Sequence, residues 1–238
     1  MLEYIKNKRV MIVVAHPDDE LLGLGASMHK FIHEQGIQTH VVILGEGITS
    51  RSDSRDTEIW KSELETHKNN IKKAQAAIGY HSVSIYDFPD NRFDSVDLLD
   101  IVKVIEKEKN LFNPEIILTH HGGDLNIDHR RTFEAIVTAT RPVKEEKVHT
   151  LITFETPSGT EWQASTFPQP FIPNMYVNVS ENDVQAKLYG MQQYEFETRE
   201  FPHPRSLEAL TIKMQNRGVE IGTKYAEAFH IVRLYITE

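Results

Sequence analysis

Residues 15–20 read Ala-His-Pro-Asp-Asp-Glu and follow a run, Val10 to Val14, apolar enough to be a buried strand. One imidazole and three carboxylates in such a place are costly unless something pairs with them. A second concentration of polar chemistry, His120-His121-Gly122-Gly123-Asp124-Leu125-Asn126-Ile127-Asp128-His129, follows another strand-like run, Glu115 to Thr119. If these two strand ends lie side by side, His16, Asp19 and His129 converge. Two imidazoles and a carboxylate suit a zinc ion that keeps one position open for water, and another divalent ion such as Fe2+ is compatible with the same donors. Asp18 is then a spare carboxylate placed to take a proton from that water, and Asp128 one placed to orient a ligand from behind. The plainer account is a helix start, where Asp18, Asp19 and Glu20 meet free amides and the positive end of the helix dipole, with His120-His121 in a solvated loop. Each cluster alone admits that account; two of them at strand ends favour chemistry. Glu20 keeps the helix-start role, with no chemistry assigned.

The elements that must position these residues alternate between strand and helix. Strands are predicted over Arg9 to Val14, Thr39 to Leu44, Ser82 to Tyr86 and Glu115 to Thr119. Helical spacing covers Leu21 to Gln35, closed by Gly36, then Thr57 to Ile78, closed by Gly79, and Val96 to Lys109. This order predicts an α/β, Rossmann-like, mostly parallel sheet flanked by helices. In such sheets ligands bind beyond the carboxyl ends of the strands, where both clusters fall. Beyond Pro142 the chain is loop-rich and adds strands at Thr150 to Phe154, Met175 to Val179 and Ala228 to Ile236, with helices at Glu181 to Gln193 and Ser206 to Glu220. No linker or repeat divides it, so residues 1–238 are read as a single domain.

Composition narrows the function classes. A net charge of -9 gives no general attraction for nucleic acid or an anionic membrane. No apolar run approaches a membrane span and residues 1–10 lack a signal-peptide core, so a cytoplasmic protein is the expectation. With no cysteine and 12 histidines, any transition metal must be held by His, Asp and Glu. Nothing in the composition decides whether the chain forms a homo-oligomer.

The AHPDDE stretch after an N-terminal strand, with the Asp-His pair after strand four, resembles the PIG-L/LmbE family of zinc-dependent N-acetylglucosaminyl deacetylases, whose signatures are A-H-P-D-D-E and H-x-D-H. The likeness runs from Val10 to about Thr140. It implies His16, Asp19 and His129 as metal ligands, Asp18 as general base and Asp128 as the acid supporting a histidine. One position departs from the pattern: Asn126 stands where the second signature has its first histidine. An amide can donate to an oxyanion but cannot be a general acid. The missing proton must come from Asp18 acting as a shuttle or from another histidine. His203, between Pro202 and Pro204 and followed by Arg205, is preferred over His120 and His121.

The resemblance implies hydrolysis of an acetamide on an N-acetylated sugar or sugar conjugate, releasing acetate and an amine. The rim is expected from Arg51, Arg92, Asp124 and Glu155 as substrate contacts, with Arg55, Asn91, Phe93 and Trp162 nearby. Glu46, between two glycines, is expected in the active-site wall, and Glu227 as a strand-edge residue. Two other classes stay open: a different metal-dependent amidase or phosphoester hydrolase, and a non-catalytic carbohydrate-binding protein. Retention of a general base argues against the last.

Overall fold

The computed structural model describes residues 2–236. Its seven strands form one sheet in the order β3-β2-β1-β4-β5-β7-β6. They span Arg9–Val14 (β1), Gln38–Gly45 (β2), Ser82–Phe88 (β3), Ile116–His120 (β4), Thr150–Phe154 (β5), Met175–Asn178 (β6) and Ala226–Leu234 (β7). The first five run parallel, while β7 is antiparallel to both β5 and β6. The helices are Leu2–Ile5 (α1), Asp19–Leu22 (α2), Gly25–Gln35 (α3), Lys61–Ile78 (α4), Leu98–Phe112 (α5), Ile127–Ala139 (α6), Glu181–Gln192 (α7) and Leu207–Val219 (α8).

β1 is apolar almost throughout because both of its faces are covered. Ile12 and Val14 point into one core with Leu21, Phe154 and Tyr194. Met11 and Val13 point into the other with Phe93, Ile101 and Ile136. Strand order reverses at β1, which pairs with β2 on one side and β4 on the other. That reversal opens the crevice in which parallel α/β sheets bind ligands. Val13 stands opposite Thr119, whose hydroxyl donates to Val13 O at 2.9 Å. The segments leaving β1 and β4 therefore start level and adjacent.

Beyond the short α1, three elements differ from the sequence reading. The helix expected over Leu21 to Gln35 is two helices, α2 and α3. They break at Gly23, where an added Cβ would sit 2.2 Å from the Phe154 ring and 2.6 Å from Glu155 O. The helix expected from Thr57 begins at Lys61. α6 was not anticipated, because its buried face mixes Ala135, Ile136 and Ala139 with Asp128, His129 and Thr132, which disguises the apolar spacing. Gly36 and Gly79 end their helices in left-handed backbone, as expected.

Candidate active site

The two strand ends bring His16, Asp19 and His129 together, each offering one donor atom within 4.8 Å of the others. Their orientation is fixed by crossed support. His16, from the first motif, places Nε2 2.8 Å from Asp128 Oδ2 of the second. With Nε2–H donated there, Nδ1 is left facing Asp19 Oδ2 at 3.6 Å. His129 has Nδ1 3.0 Å from Asp124 Oδ1, out of line for a hydrogen bond, and Nε2 3.4 Å from Asp19 Oδ2. Asp19 Oδ1 and both His129 ring nitrogens are buried without a hydrogen-bond partner. The orphaned atoms belong to Asp19 and His129 and lie where these two side chains meet His16; such a set of nitrogen and oxygen donors is what a divalent cation would satisfy.

The electrostatics agree. Burial alone would raise the Asp19 carboxyl, but His129 and His120 hold it well below the usual carboxylate range. Burial would lower the His129 imidazole, yet Asp19 and Asp124 raise it to about 9. Burial likewise opposes a charged His16, which Asp128 and Asp19 push well up. Each imidazole faces enough negative charge to hold either a proton or a metal ion, and the two compete.

A second acidic group around His16, formed by Asp90 and Asp128, is already satisfied by protein donors. Asp128 accepts from Asn91 N and Phe93 N, and Asp90 from Ser50 and the Asn91 amide. These two carboxylates orient His16 rather than wait for a cation. His120 is not a ligand either. Its Nε2 accepts the Ala15 N–H at 2.9 Å, and burial and His129 lower its pKa to about 4. Its ring stacks on His129 at 3.9 Å and so braces that imidazole.

Asp18 lies at the start of α2 with φ 99°, a positive value costly for a residue with a side chain, on the order of 1–3 kcal/mol. It is 1% exposed. Burial pushes its carboxyl well up, against the pull of Arg205, whose Nη1 lies 3.2 Å from Asp18 Oδ2. Arg205 also bonds Glu197 and Ser158, and Glu197 in turn holds Arg51.

A cleft of about 310 Å³ opens over these groups, lined by His16, Asp18, Asp90, Asn126, Trp162 and His203 among others. Asn126 uses Oδ1 to cap α6 through Asp128 N and one amide hydrogen on Asn91 Oδ1. His203 packs edge-on to Trp162, and its Nδ1 accepts the Arg205 N–H, leaving Nε2–H as donor. Burial, Arg205 and Arg199 lower its pKa. Arg51 also lines the cleft.

Other expected contacts lie elsewhere. Arg92 is exposed and outside the cleft lining, because its chain turns so that Asn91 and Phe93 point inward. Glu155 is buried in a bidentate pair with Arg217 and a contact to Lys213 from α8. Asp124 is fully buried, faces His129 and Thr160, and is absent from the cleft lining. Glu46 turns away into a bidentate pair with Arg55, and Gly47, at φ 74° against Pro17, forms the wall instead. Glu227 is no plain edge residue: it binds Lys187 and the first amides of α3. His121 Nε2 donates to Gln169 O, away from His16, Asp19 and His129. Asp90, Glu197 and Arg205 carried no assigned role from sequence. For Asp90 the available signal was an Asp-Asn pair at the end of strand three.

The sequence profile of the family described as GlcNAc-PI de-N-acetylase (PIG-L) matches residues 11–140. YaiS of Escherichia coli K12, described as an uncharacterized deacetylase, is 25% identical over 193 residues, 79% of this chain and 91% of its own. The diacetylchitobiose deacetylase of Thermococcus kodakarensis KOD1 is 27% identical over 240 residues, covering 94% of this chain and 83% of its own. Among solved structures, the 4-carboxy-2-hydroxymuconate hydratase GalB of Pseudomonas putida KT2440 superposes with a TM-score of 0.69 at 21% identity, covering 97% and 98% of the two chains. That last likeness is one of fold, and a fold does not fix a reaction. Among the described residues no helix is long and apolar enough to cross a membrane.

Proposed function

The chain belongs to the PIG-L (GlcNAc-PI de-N-acetylase) family, and on that premise we propose that it is a zinc-dependent hydrolase that removes the acetyl group from an N-acetylamino sugar or its conjugate. The observation that carries this reading is the buried Asp18 carboxylate beside three converging donors, two of which have unpartnered atoms. His16 Nδ1, an Asp19 oxygen and His129 Nε2 would hold the cation. Once bound, it supplies a water acidic enough to ionise near neutral pH and a positive charge beside the acyl oxygen.

Arg205 fixes Asp18 Oδ2, which leaves Oδ1 to take the proton of the attacking water. The burial that raises the Asp18 pKa lets this carboxyl hold the proton until the C–N bond breaks. It then delivers the proton to the leaving nitrogen, since Asn126 cannot. His203, whose pKa is lowered by burial, Arg205 and Arg199, offers Nε2–H as a hydrogen-bond donor to the substrate. The remaining Asn126 amide hydrogen offers a second neutral donor. Ser50, Asn91 and Ser158 supply short polar side chains suited to sugar hydroxyls, and Trp162, 52% exposed, supplies an apolar face for the ring.

The test is a panel of N-acetylated sugars, nucleotide sugars and glycolipids offered to the zinc-loaded protein, with release of free amine as readout. Release from one class and not from simple N-acetyl amino acids is expected. No amine from any of them, with zinc bound, would overturn the deacetylase reading and direct the search to the hydratase-type chemistry of the fold neighbour.

A further inference from the structure

Glu20 and Tyr194 are not accounted for by the mechanism, and both are buried within reach of Asp18. Glu20 Oε2 accepts the backbone N–H of Asp18 at 3.1 Å. Its other oxygen, Oε1, accepts the hydroxyl of Tyr194 at 2.5 Å. Tyr80 donates to the Glu20 backbone carbonyl at 2.7 Å, which fixes the residue at its main chain as well. Asp18 meanwhile has φ 99° and ψ −27°, a conformation that persists only where its surroundings impose it. On the side-chain end, Arg205 holds Oδ2, and Glu197 holds Arg205.

We propose that Tyr194, acting through Glu20, is a positioning residue that locks the backbone of Asp18, and that with Arg205 it forms a two-ended clamp on the general base. Both ends of the clamp come from residues 194–205, outside the segment matched by the family profile. The loop-rich second half of the chain thus sets the aim of a carboxylate in the first. Tyr194 reaches its place because it follows the last turn of α7, where its N–H bonds Met191 O, and its ring is sealed into the core. Removal of its hydroxyl leaves Glu20 Oε1 buried without a donor. The carboxylate then turns, and the Asp18 amide loses its acceptor.

The inference rests on Asp18 serving as general base, so the experiment has one arm that needs no substrate. Tyr194→Phe, Glu20→Leu and Glu20→Gln are compared with the wild type in the zinc-loaded full chain. Gln can still accept from the Asp18 N–H through its oxygen while its amide donates to the Tyr194 oxygen, so it serves as the conservative rescue. In the first arm, exchange of the Asp18 amide hydrogen should quicken roughly tenfold or more in Tyr194→Phe and Glu20→Leu, and much less in Glu20→Gln. In the second arm, kcat for amine release should fall roughly 10–100-fold in the first two variants, with KM and bound zinc close to wild type. A merely structural role would lower Tm without separating kcat from KM. Unchanged amide exchange in Tyr194→Phe, or a loss of kcat that follows the loss of zinc, would overturn the clamp. If Glu20→Leu fails to fold, Tyr194→Phe decides alone. A wild type that releases no amine, but whose Asp18 amide responds as described, would sink the deacetylase reading and leave the clamp standing.

Discussion

His16 Nε2 lies 2.8 Å from Asp128 Oδ2, so the histidine of the first motif is aimed by the acid of the second. Asp128 can do this because two backbone amides, Asn91 N and Phe93 N, fix its carboxylate. An amide at position 128 would present N–H to at least one of those donors. Asp128→Asn should therefore weaken zinc binding by roughly 10–100-fold, the usual effect of losing a residue that orients a metal-binding histidine. Competition with a chelator of known affinity measures it, and equal affinities would show that Asp128 does not aim His16.

Asp18 stands one residue before Asp19, yet the two carboxylates have opposite surroundings. Asp19 faces three imidazoles, whereas Asp18 faces Arg205 and the cleft. Asp18→Asn should keep zinc at the wild-type level while lowering kcat by roughly 10²–10⁴-fold, the range for loss of a general base. Loss of zinc from this variant would reverse the assignment of base and ligand.

The convergence of His16, Asp19 and His129 could be read from sequence because they sit in short motifs at the ends of apolar runs, and a parallel sheet makes such ends meet. The groups around it could not. Arg205 reaches Asp18 across 187 residues, and Glu197 reaches Arg51 across 146. No spacing rule links such positions. Arg92 and Glu155 lie just past strand ends, as expected of rim residues, but strand position does not give side-chain direction. Glu155 was taken up by Arg217 and Lys213 on α8, a helix whose packing the sequence pattern does not disclose. α6 is hidden in the sequence for a related reason: its buried face is built partly from the polar residues Asp128 and His129.

Asn126 begins α6, and its side-chain oxygen accepts the Asp128 N–H at 2.8 Å. Loss of such a cap costs about 1 kcal/mol. Asn126→Ala should lower stability by that amount in chemical denaturation and reduce kcat far less than Asp18→Asn does. A kcat loss as large as that of Asp18→Asn would place Asn126 among the groups that touch the reacting atoms. Asn126→His, which restores the family pattern, separates the roles further: a higher rate at the acid limb would show that an imidazole here can protonate the leaving nitrogen.

Glu155 gives a pH dependence away from the metal site. Burial would raise its carboxyl, but Arg217 and Lys213 hold it below the ordinary value of 4.5. A folded-state pKa below the unfolded one means that the pair stabilises the protein fully above about pH 4.5, and that this contribution fades as pH falls through the lowered folded value. Glu155→Gln removes the charge, so the wild type should be the more stable at neutral pH, by roughly 1.5–3 kcal/mol, the range for hydrogen bonds to charged groups. The difference should shrink toward zero in acid. Denaturant titrations of both proteins from neutral pH downward measure it. A difference that persists unchanged through the acid range would mean that Glu155 stabilises α8 against β5 by packing rather than by its charge.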